Sequence, residues 1–563
     1  MSGVVSVAAL LGITEERHMR TMRWMVLAAL LSGCQATQGS RGEARLYEGY
    51  GGYHRAITTR VPEAQRWFDQ GLQLLYGYNH DEAIRSFEEA ARLDPSCAMA
   101  WWGASYAYGL HINNPAMTER QNRGGYECAQ KALAALDDET PVEQALARAV
   151  AQRYAWPAPA ERRSLDESYA AAMEQVWREH PSDADVGTLF AESLMTLQPW
   201  DLWTKDGQPK GRTLDIVAAI ERVLAFAPMH PGANHFYIHA VEASPDPDRA
   251  VVAADRLGGL VPGSGHLVHM PSHIYTRVGR YRDAADTNAR AIAADEAYFA
   301  RAPKPDFYSL YFVHNVHFLA YASMMEGRYE PAMAAARKLV GEIPQEFVKK
   351  YVSFADGFLA TPWHVMIRFG KWEEILREPA PEAWLKLSCA QWRYARGVAL
   401  SALGRTSEAR AELAAFLVAA EAVPADWTVG NNKAATVLAL CRAMLEGELW
   451  YREGQLDAAF ARLREGVAIE DELVYDEPPG WMQPVRHALG ALLMAAGRAE
   501  EAAQVYRDDL ARNRENGWSL IGLAAALRKL DRGAEADEID ARLARAWTRP
   551  DVKPRSSCFC EPG

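Results

Sequence analysis

Trp67-Phe68-Asp69-Gln70-Gly71, then Asp81-Glu82-Ala83-Ile84-Arg85-Ser86-Phe87-Glu88-Glu89-Ala90, then Leu93-Asp94-Pro95, reads as two amphipathic helices with a turn between them and a proline stop. Apolar positions recur every three or four residues in both halves, the spacing that gathers them on one helical face. The pattern returns along the chain: Gly279 with Ala284, Gly327 with Ala332, Gly404 with Ala409, Gly454 with Ala459, and Gly497 with Ala502. In each pair a small turn residue precedes an alanine by five positions, and the alanine lets the second helix lie close on the first. A less regular copy uses Pro245 as the turn, Ala250 as the packing alanine and Pro262 as the stop. The last copy, Trp518 to Ala534, leads into a capping helix that ends near Trp547.

Composition agrees with a folded chain and excludes two classes. Hydrophobic residues make up 49% and charged residues 24% of 563 residues, which rules out wholesale disorder. Lys+Arg 61 against Asp+Glu 73 leaves a net charge of −12 with no basic block. A nucleic-acid binder needs a positive stripe, so no nucleic-acid partner is expected. Phosphate-binding glycine loops and the Gly-x-Ser-x-Gly and His-Glu-x-x-His motifs are also absent, so neither nucleotide use nor serine-hydrolase chemistry is expected.

The repeated unit resembles the tetratricopeptide repeat (TPR), a helix–turn–helix of ~34 residues. That resemblance implies an all-α solenoid with a concave surface lined by the first helix of every repeat. Many TPR proteins are interaction scaffolds, so it also implies an envelope protein or peptide partner. The expected organisation is TPR-like repeats over 61–134, an irregular helical region with an aromatic loop over 135–230, histidine-rich repeats over 231–375, further repeats over 376–547 and a polar tail over 548–563.

The beginning of the chain reads as an address. Met19-Arg20-Thr21-Met22-Arg23 is basic, Trp24 to Leu31 is apolar but too short to span a bilayer, and Leu31-Ser32-Gly33-Cys34 closes the run with small residues before a cysteine. This resembles a bacterial lipoprotein leader. It implies cleavage after residue 33, lipidation of Cys34, a tether over 34–60 and a folded part anchored to a bacterial membrane and facing the periplasm. Glu15 and Glu16 fit a basic leader badly, which points to Met19 as the true start.

The chemistry concentrates between Met229 and Gly370. Six positions before Pro245, Gly279 and Gly370 stand His239, His273 and His364; ten before Pro245, Gly279 and Gly327 stand His235, His269 and His317. Thirteen before Gly279 and Gly327 stand His266 and His314, and three before Pro245 stands Glu242. These offsets differ by three and four, so the residues share one helical stripe, which the TPR resemblance turns toward the concave groove. Among the histidines from His230 to His364, His230 alone misses the stripe.

A single histidine on a helix is usually a hydrogen-bonded structural residue, but that does not account for a ladder of eight. A peptide groove would carry Lys, Arg and Asn, and Arg277 is the one such residue near the stripe. Imidazoles at i, i+3 and i, i+4 can put two ring nitrogens on one ion, so the ladder reads as a transition-metal site. Zn, Cu or Fe suits nitrogen donors with one carboxylate; Ca and Mg do not. Eight imidazoles exceed the ligand number of one ion, so either more than one metal binds or some histidines orient the others. An ion with an open position would make the protein an enzyme, and a saturated ion would make it a carrier or sensor. Tyr275, Tyr321 and Trp363 are candidates to line the groove, and Trp200 and Trp203 to close over it. Cys97 could pair with Cys128, and Cys558-Phe559-Cys560 could capture metal as a dithiol.

Overall fold

Helices carry nearly all the regular structure in the computed structural model, which describes residues 44–50, 52–302 and 307–561. The leader and Cys34 lie outside the described residues. Among the described residues, no helix is long and apolar enough to cross a membrane. The chain divides into two compact units, one of residues up to Met270 with Ala294–Ser309, the other of Pro271–Ala293 with Leu310 onward.

In the first unit the helices are α1 (Pro62–Tyr76), α2 (His80–Leu93), α3 (Ala98–Ala107), α4 (Glu119–Ala134), α5 (Pro141–Ala151), α6 (Arg163–Glu179), α7 (Ala184–Met195), α8 (Thr213–Phe226), α9 (Pro231–Val241), α10 (Val251–Leu260) and α11 (Gly265–His269). Consecutive helices pack as pairs: α1 on α2, α3 on α4, α7 on α8. The opening stretch shows why. Gly71 on α1 and Gly103 on α3 both face the Phe87 ring on α2, and a β-carbon at either would collide with it. The poorly matching region 135–230 is also built of helix pairs, with the aromatic loop between α7 and α8.

The second unit continues with α12 (Pro271–Arg277), α13 (Tyr281–Phe299, whose last turn belongs to the first unit), α14 (Ser309–Met325), α15 (Tyr329–Glu342), α16 (Gln345–Lys350), α17 (Val352–Ala355), α18 (Thr361–Arg368), α19 (Trp372–Arg377), α20 (Lys386–Ala402) and α21 (Thr406–Glu421). A two-stranded hairpin, Thr428–Val429 against Asn432–Lys433, leads into α22 (Ala434–Arg452), α23 (Leu456–Asp471), α24 (Val485–Ala495), α25 (Ala499–Arg512), α26 (Gly517–Lys529) and α27 (Gly533–Ala546). The architecture is an all-α, TPR-like array of helix pairs.

The repeat frame read from the sequence holds at each glycine turn, while the Pro245 copy begins its second helix with a 3-10 segment, Pro247–Ala250. Gly279, Gly327, Gly370, Gly404, Gly454 and Gly497 all have φ between 65° and 82°, the left-handed region that favours glycine. The alanines five positions on, Ala284, Ala332, Ala409, Ala459 and Ala502, are fully buried. Ala284→Trp is therefore expected to lower the unfolding free energy by about 1–3 kcal/mol or more. Gly404→Ala, where a β-carbon meets nothing, is expected to lower it by about 1–2 kcal/mol through backbone strain alone. Exposed Arg282→Ala should stay within about 0.5 kcal/mol. Urea midpoints measure all three, and equal shifts would mean that the frame is misplaced. Two turns put another residue in this left-handed conformation: Tyr78 (φ 55°) stands five before buried Ala83, and Asp531 (φ 59°) five before buried Ala536.

The C-terminal segment is not the free polar tail that the sequence suggests. Within the second unit it runs back over the repeats. Trp547 packs on the Gly327 turn, the Asp551 carboxylate accepts from the backbone N–H groups of Tyr329 and Glu330, and Phe559 packs on the Gly370 turn. Ser557 bonds to Tyr506 and to the His487 carbonyl. Cys558 and Cys560 are joined in a disulfide and buried, so they offer no dithiol to a metal. Cys97 and Cys128 are buried, and no disulfide joins them.

Candidate metal centre

The centre of the first unit is built on α9. His230, the histidine off the stripe, starts that helix: its Nδ1 accepts from the Ala233 N–H and its Nε2 donates to Asp185 at 3.1 Å. Asp185 also accepts from Tyr53, Tyr76 and Arg55, so His230 belongs to a structural network. One turn further, His235 and His239 lie along the same face with ring centroids 4.9 Å apart. His266 comes from α11, whose start is fixed by the Ser264 cap and by the Tyr308 hydroxyl on the His266 N–H; Tyr308 in turn donates to Asp295. The His266 ring stands 5.0 Å from that of His235 and 6.3 Å from that of His239.

One ring nitrogen from each of His235, His239 and His266 lies within 4.8 Å of the others, and all three residues are buried. Nitrogens sharing an ion at about 2.0–2.1 Å stand ~3–4 Å apart, so side-chain adjustments of about 1 Å close the group. Two of the rings are already oriented. His235 Nδ1 lies 2.7 Å from the Tyr76 carbonyl, which can only accept, so Nδ1 carries the hydrogen and Nε2 presents its lone pair. His239 Nδ1 lies 3.0 Å from a Glu242 carboxylate oxygen, with the same consequence. Donation of one ring N–H to a carbonyl or carboxylate is how ligating histidines are usually held. Glu242, read from the sequence as a ligand or base, holds the His239 ring here and is itself among the residues that could ligate an ion.

The stripe does not face an open groove at this point. Helix α1 packs against α9, and its last residue, Tyr76, supplies the carbonyl that His235 uses. Following it, Tyr78 fills the turn position that glycine holds elsewhere, in a backbone conformation costing a non-glycine residue about 1–2 kcal/mol. Its ring lies 4.7 Å from that of His235, 5.6 Å from that of His266 and 6.1 Å from that of His239, and stacks on His111 at 4.2 Å. Strain retained at such a position is characteristic of functional sites. His111 is 2% exposed and its Nδ1 has no hydrogen-bond partner among the described residues. Its ring stands 4.5 Å from that of His80. Burial first, then the Arg153 cation, pushes the His80 imidazole down to about 4. Sequence reasoning confined to 229–370 missed Tyr78, His80 and His111. The signal available was a tyrosine five positions before a packing alanine.

The aromatic loop touches α9 through both tryptophans. Trp200 sets its ring edge-on to His239 at 5.3 Å, and Trp203 donates from Nε1 to the Ala240 carbonyl, fastening the loop to α9. His269, the last residue of α11, is fully buried, its ring 6.1 Å from that of His266.

The remaining ladder residues belong to the second unit. There His273 lies with Nδ1 2.7 Å from a Glu477 carboxylate oxygen and its ring 5.7 Å from that of His314. His317 packs against Phe358 and His364 against Trp481, and neither joins any of the ligand groups found among the described residues. The candidate groove residues are buried here too. Trp363 is part of the hydrophobic core with Met366 and Leu387, Tyr275 carries the Arg280 guanidinium over its ring, and Tyr321 is 3% exposed.

Burial holds His317 at about 3, aided by the His364 charge, and His364 at about 4, both below the ordinary value of ~6.5. Below pH 6.5 the unfolded chain therefore binds protons that the folded chain refuses. Stability is complete above that pH and is lost as pH falls toward the folded values. Each such histidine is expected to remove roughly 2 kcal/mol between pH 6.5 and pH 5. Urea midpoints across that range test this, and a flat profile would mean that these rings are solvated.

No protein-family model and no curated protein matches this chain. Among solved structures it is similar to the human IFIT1 dimer with PPP-AAAA, at 12% identity and a TM-score of 0.30 over 94% of each chain. It is also similar to the APC/C hetero-tetramer Cut9-Hcn1, at 12% identity and a TM-score of 0.30 over 94% of this chain and 81% of that one. Scores this low carry no argument about function; the helix pairs themselves define the fold.

Proposed function

We propose that this protein is an exported, lipid-anchored TPR-like repeat protein whose first unit binds a transition-metal ion through His235, His239 and His266. The observation that carries the reading is the state of the rings: three buried imidazoles from two repeats converge, and in two of them Nδ1 is bonded to an acceptor, which leaves Nε2 as the donor to an ion. Zn, Cu and Fe all accept such nitrogen donors. Elemental analysis of protein purified without chelators tests the proposal. If no stoichiometric metal is found, and added Zn, Cu or Fe leaves the melting temperature unmoved, the histidines are structural. The reading that then stands is a scaffold for an envelope protein or peptide.

The anchoring part rests on Leu31-Ser32-Gly33-Cys34 closing a basic and apolar leader. Wild-type protein is expected to fractionate with membranes and to begin at a lipidated Cys34, while Cys34→Ala leaves unprocessed or released protein. Mature soluble wild-type protein with another N-terminus would contradict it.

A further inference from the structure

We propose that Cys558–Cys560 is an exchangeable disulfide, a site for a dithiol reductant, whose state fastens or frees the C-terminal segment of the second unit. The inference shares no residue with the metal centre and stands whether or not that centre holds an ion.

The bond joins residues two apart in the chain. The entropy that a cross-link removes from the unfolded chain grows with the loop it closes, so a loop this short staples nothing distant. Its effect is local. The two Cα atoms stand 5.2 Å apart, where an extended chain spans about 7 Å over the same two steps. Residues 558–560 are thus held in a tight bend, with the Cys560 N–H donating to Cys558 Sγ at 3.1 Å. The bend sets Phe559 against the Gly370 turn, with its ring 6.1 Å from that of Trp518.

The two flanks of the bend are tied to different helices. On one side Ser557 Oγ donates to the His487 carbonyl at 2.7 Å and accepts from the Tyr506 hydroxyl at 2.8 Å. The Ser557 carbonyl accepts from Arg368 at 3.1 Å. On the other side Arg452 donates to the Cys560 carbonyl and pairs with Glu561 at 3.0 Å. These partners lie on α18, α22, α24 and α25, so the bend is the piece of chain that lets one short segment hold all of them. Once the bond opens, the tripeptide is free to extend by about 2 Å, enough to break the hydrogen bonds of one flank.

Access to the bond is one-sided. Cys558 lines an open cavity of about 330 Å³ together with Lys553, Arg555, Phe559 and Glu561, while Cys560 is 1% exposed. Lys553 and Arg555 bring positive charge to the cavity, which favours an incoming thiolate, and the one carboxylate there, Glu561, is paired with Arg452. The thiolate of the reductant attacks Cys558 Sγ. As that bond forms, the Cys558–Cys560 bond breaks, and its electron pair leaves on Cys560 Sγ, which takes up a proton. The second thiol of the reductant, as thiolate, then attacks the reductant's own sulfur in the mixed disulfide, and Cys558 leaves and is protonated. Two electrons and two protons pass to the protein, and the dithiol becomes a disulfide.

The test uses full-length protein purified without reductant. Alkylation in denaturant should leave Cys558 and Cys560 unlabelled. Dithiothreitol added to the native protein should then open the bond, read by mass spectrometry as two added labels on the peptide that carries them. Hydrogen exchange follows the consequence at the turn that Phe559 covers, where the Gly370 and Lys371 N–H groups bond to the Ile367 and Met366 carbonyls. Opening should speed exchange there by about tenfold or more and leave α20 unchanged. A Cys558→Ser/Cys560→Ser double variant should exchange at the reduced rate without any reductant. Wild-type protein alone gives both readings, so a variant that fails to fold does not remove the test. Labelling of both cysteines before reduction would overturn the inference, as would a bond that opens only when the chain unfolds. So would a bond that opens while exchange at the Gly370 turn stays unchanged.

Discussion

His235→Ala is expected to release about one equivalent of the metal that wild-type protein carries, and to lower its thermal stability with it. His235 sits at the centre of the group, its ring 4.9 Å from that of His239 and 5.0 Å from that of His266. Its removal leaves two imidazoles, too few to hold an ion against a chelator. An ion bound to the folded state alone stabilises it by about 2.7 kcal/mol at one hundred times its dissociation constant and about 4.1 kcal/mol at one thousand times. The wild type should lose that increment on chelation, and the variant should show no difference with or without chelator. Its residual deficit should be about 1 kcal/mol, for the Tyr76 carbonyl left without its donor. Binding should also weaken below about pH 6, where protons compete for the imidazoles. His54, 62% exposed at its side chain, provides a control, and His54→Ala should keep its metal. Metal analysis with paired melting curves decides; full retention by His235→Ala would exclude it as a ligand.

Asp185→Ala should be the most damaging single change in the first unit, with an expected loss of about 3–5 kcal/mol. The buried carboxylate receives Arg55 at 2.7 Å, Tyr53 at 2.9 Å, Tyr76 at 2.5 Å and His230 at 3.1 Å. It ties the extended N-terminal segment, the end of α1 and the start of α9 to α7. Without it, Arg55 keeps Asp183 as its one carboxylate partner in a largely buried position, and two phenols and an imidazole lose their acceptor. Burial alone would raise this carboxyl, but the His230 hydrogen bond and the Arg55 charge outweigh it and hold the group far below the usual range. A depressed carboxyl contributes its stability in full above ~4 and loses it as pH falls. The wild type should therefore begin to lose its advantage over Asp185→Ala as pH falls below ~4, and at pH 3 should have lost only part of it. Urea midpoints at pH 7 and pH 3 test both points, and an unchanged midpoint at pH 7 would show that the network is dispensable. Because Asp185 holds His230 at the start of α9, the variant should also bind metal more weakly.

Much of the fold was legible because a TPR-like repeat is a local object. A turn residue that must take positive φ, an alanine that must be small and a proline that ends a helix lie within one unit of chain. Gly279, Gly327, Gly404, Gly454 and Gly497 sit where the pattern put them. The alignment of His235, His239 and His266 on inward-facing positions followed from the same arithmetic, since helical offsets fix a side chain's direction.

What lies opposite those positions is set by contacts distant in sequence, and no spacing rule encodes them. The sequence cannot show that the Tyr76 carbonyl meets His235 across 159 residues, or that Tyr78 and His111 close over the imidazoles. Nor can it show that Glu242 turns to a ring N–H and that the C-terminal segment folds back over the Gly327 and Gly370 turns. Sequence thus determined the repeat, its register and the histidine face, because each depends on dihedral preferences and helical period within a single repeat. Tertiary structure alone decided that the face is buried and which rings converge, because burial depends on which surfaces meet once helices far apart in the chain have packed.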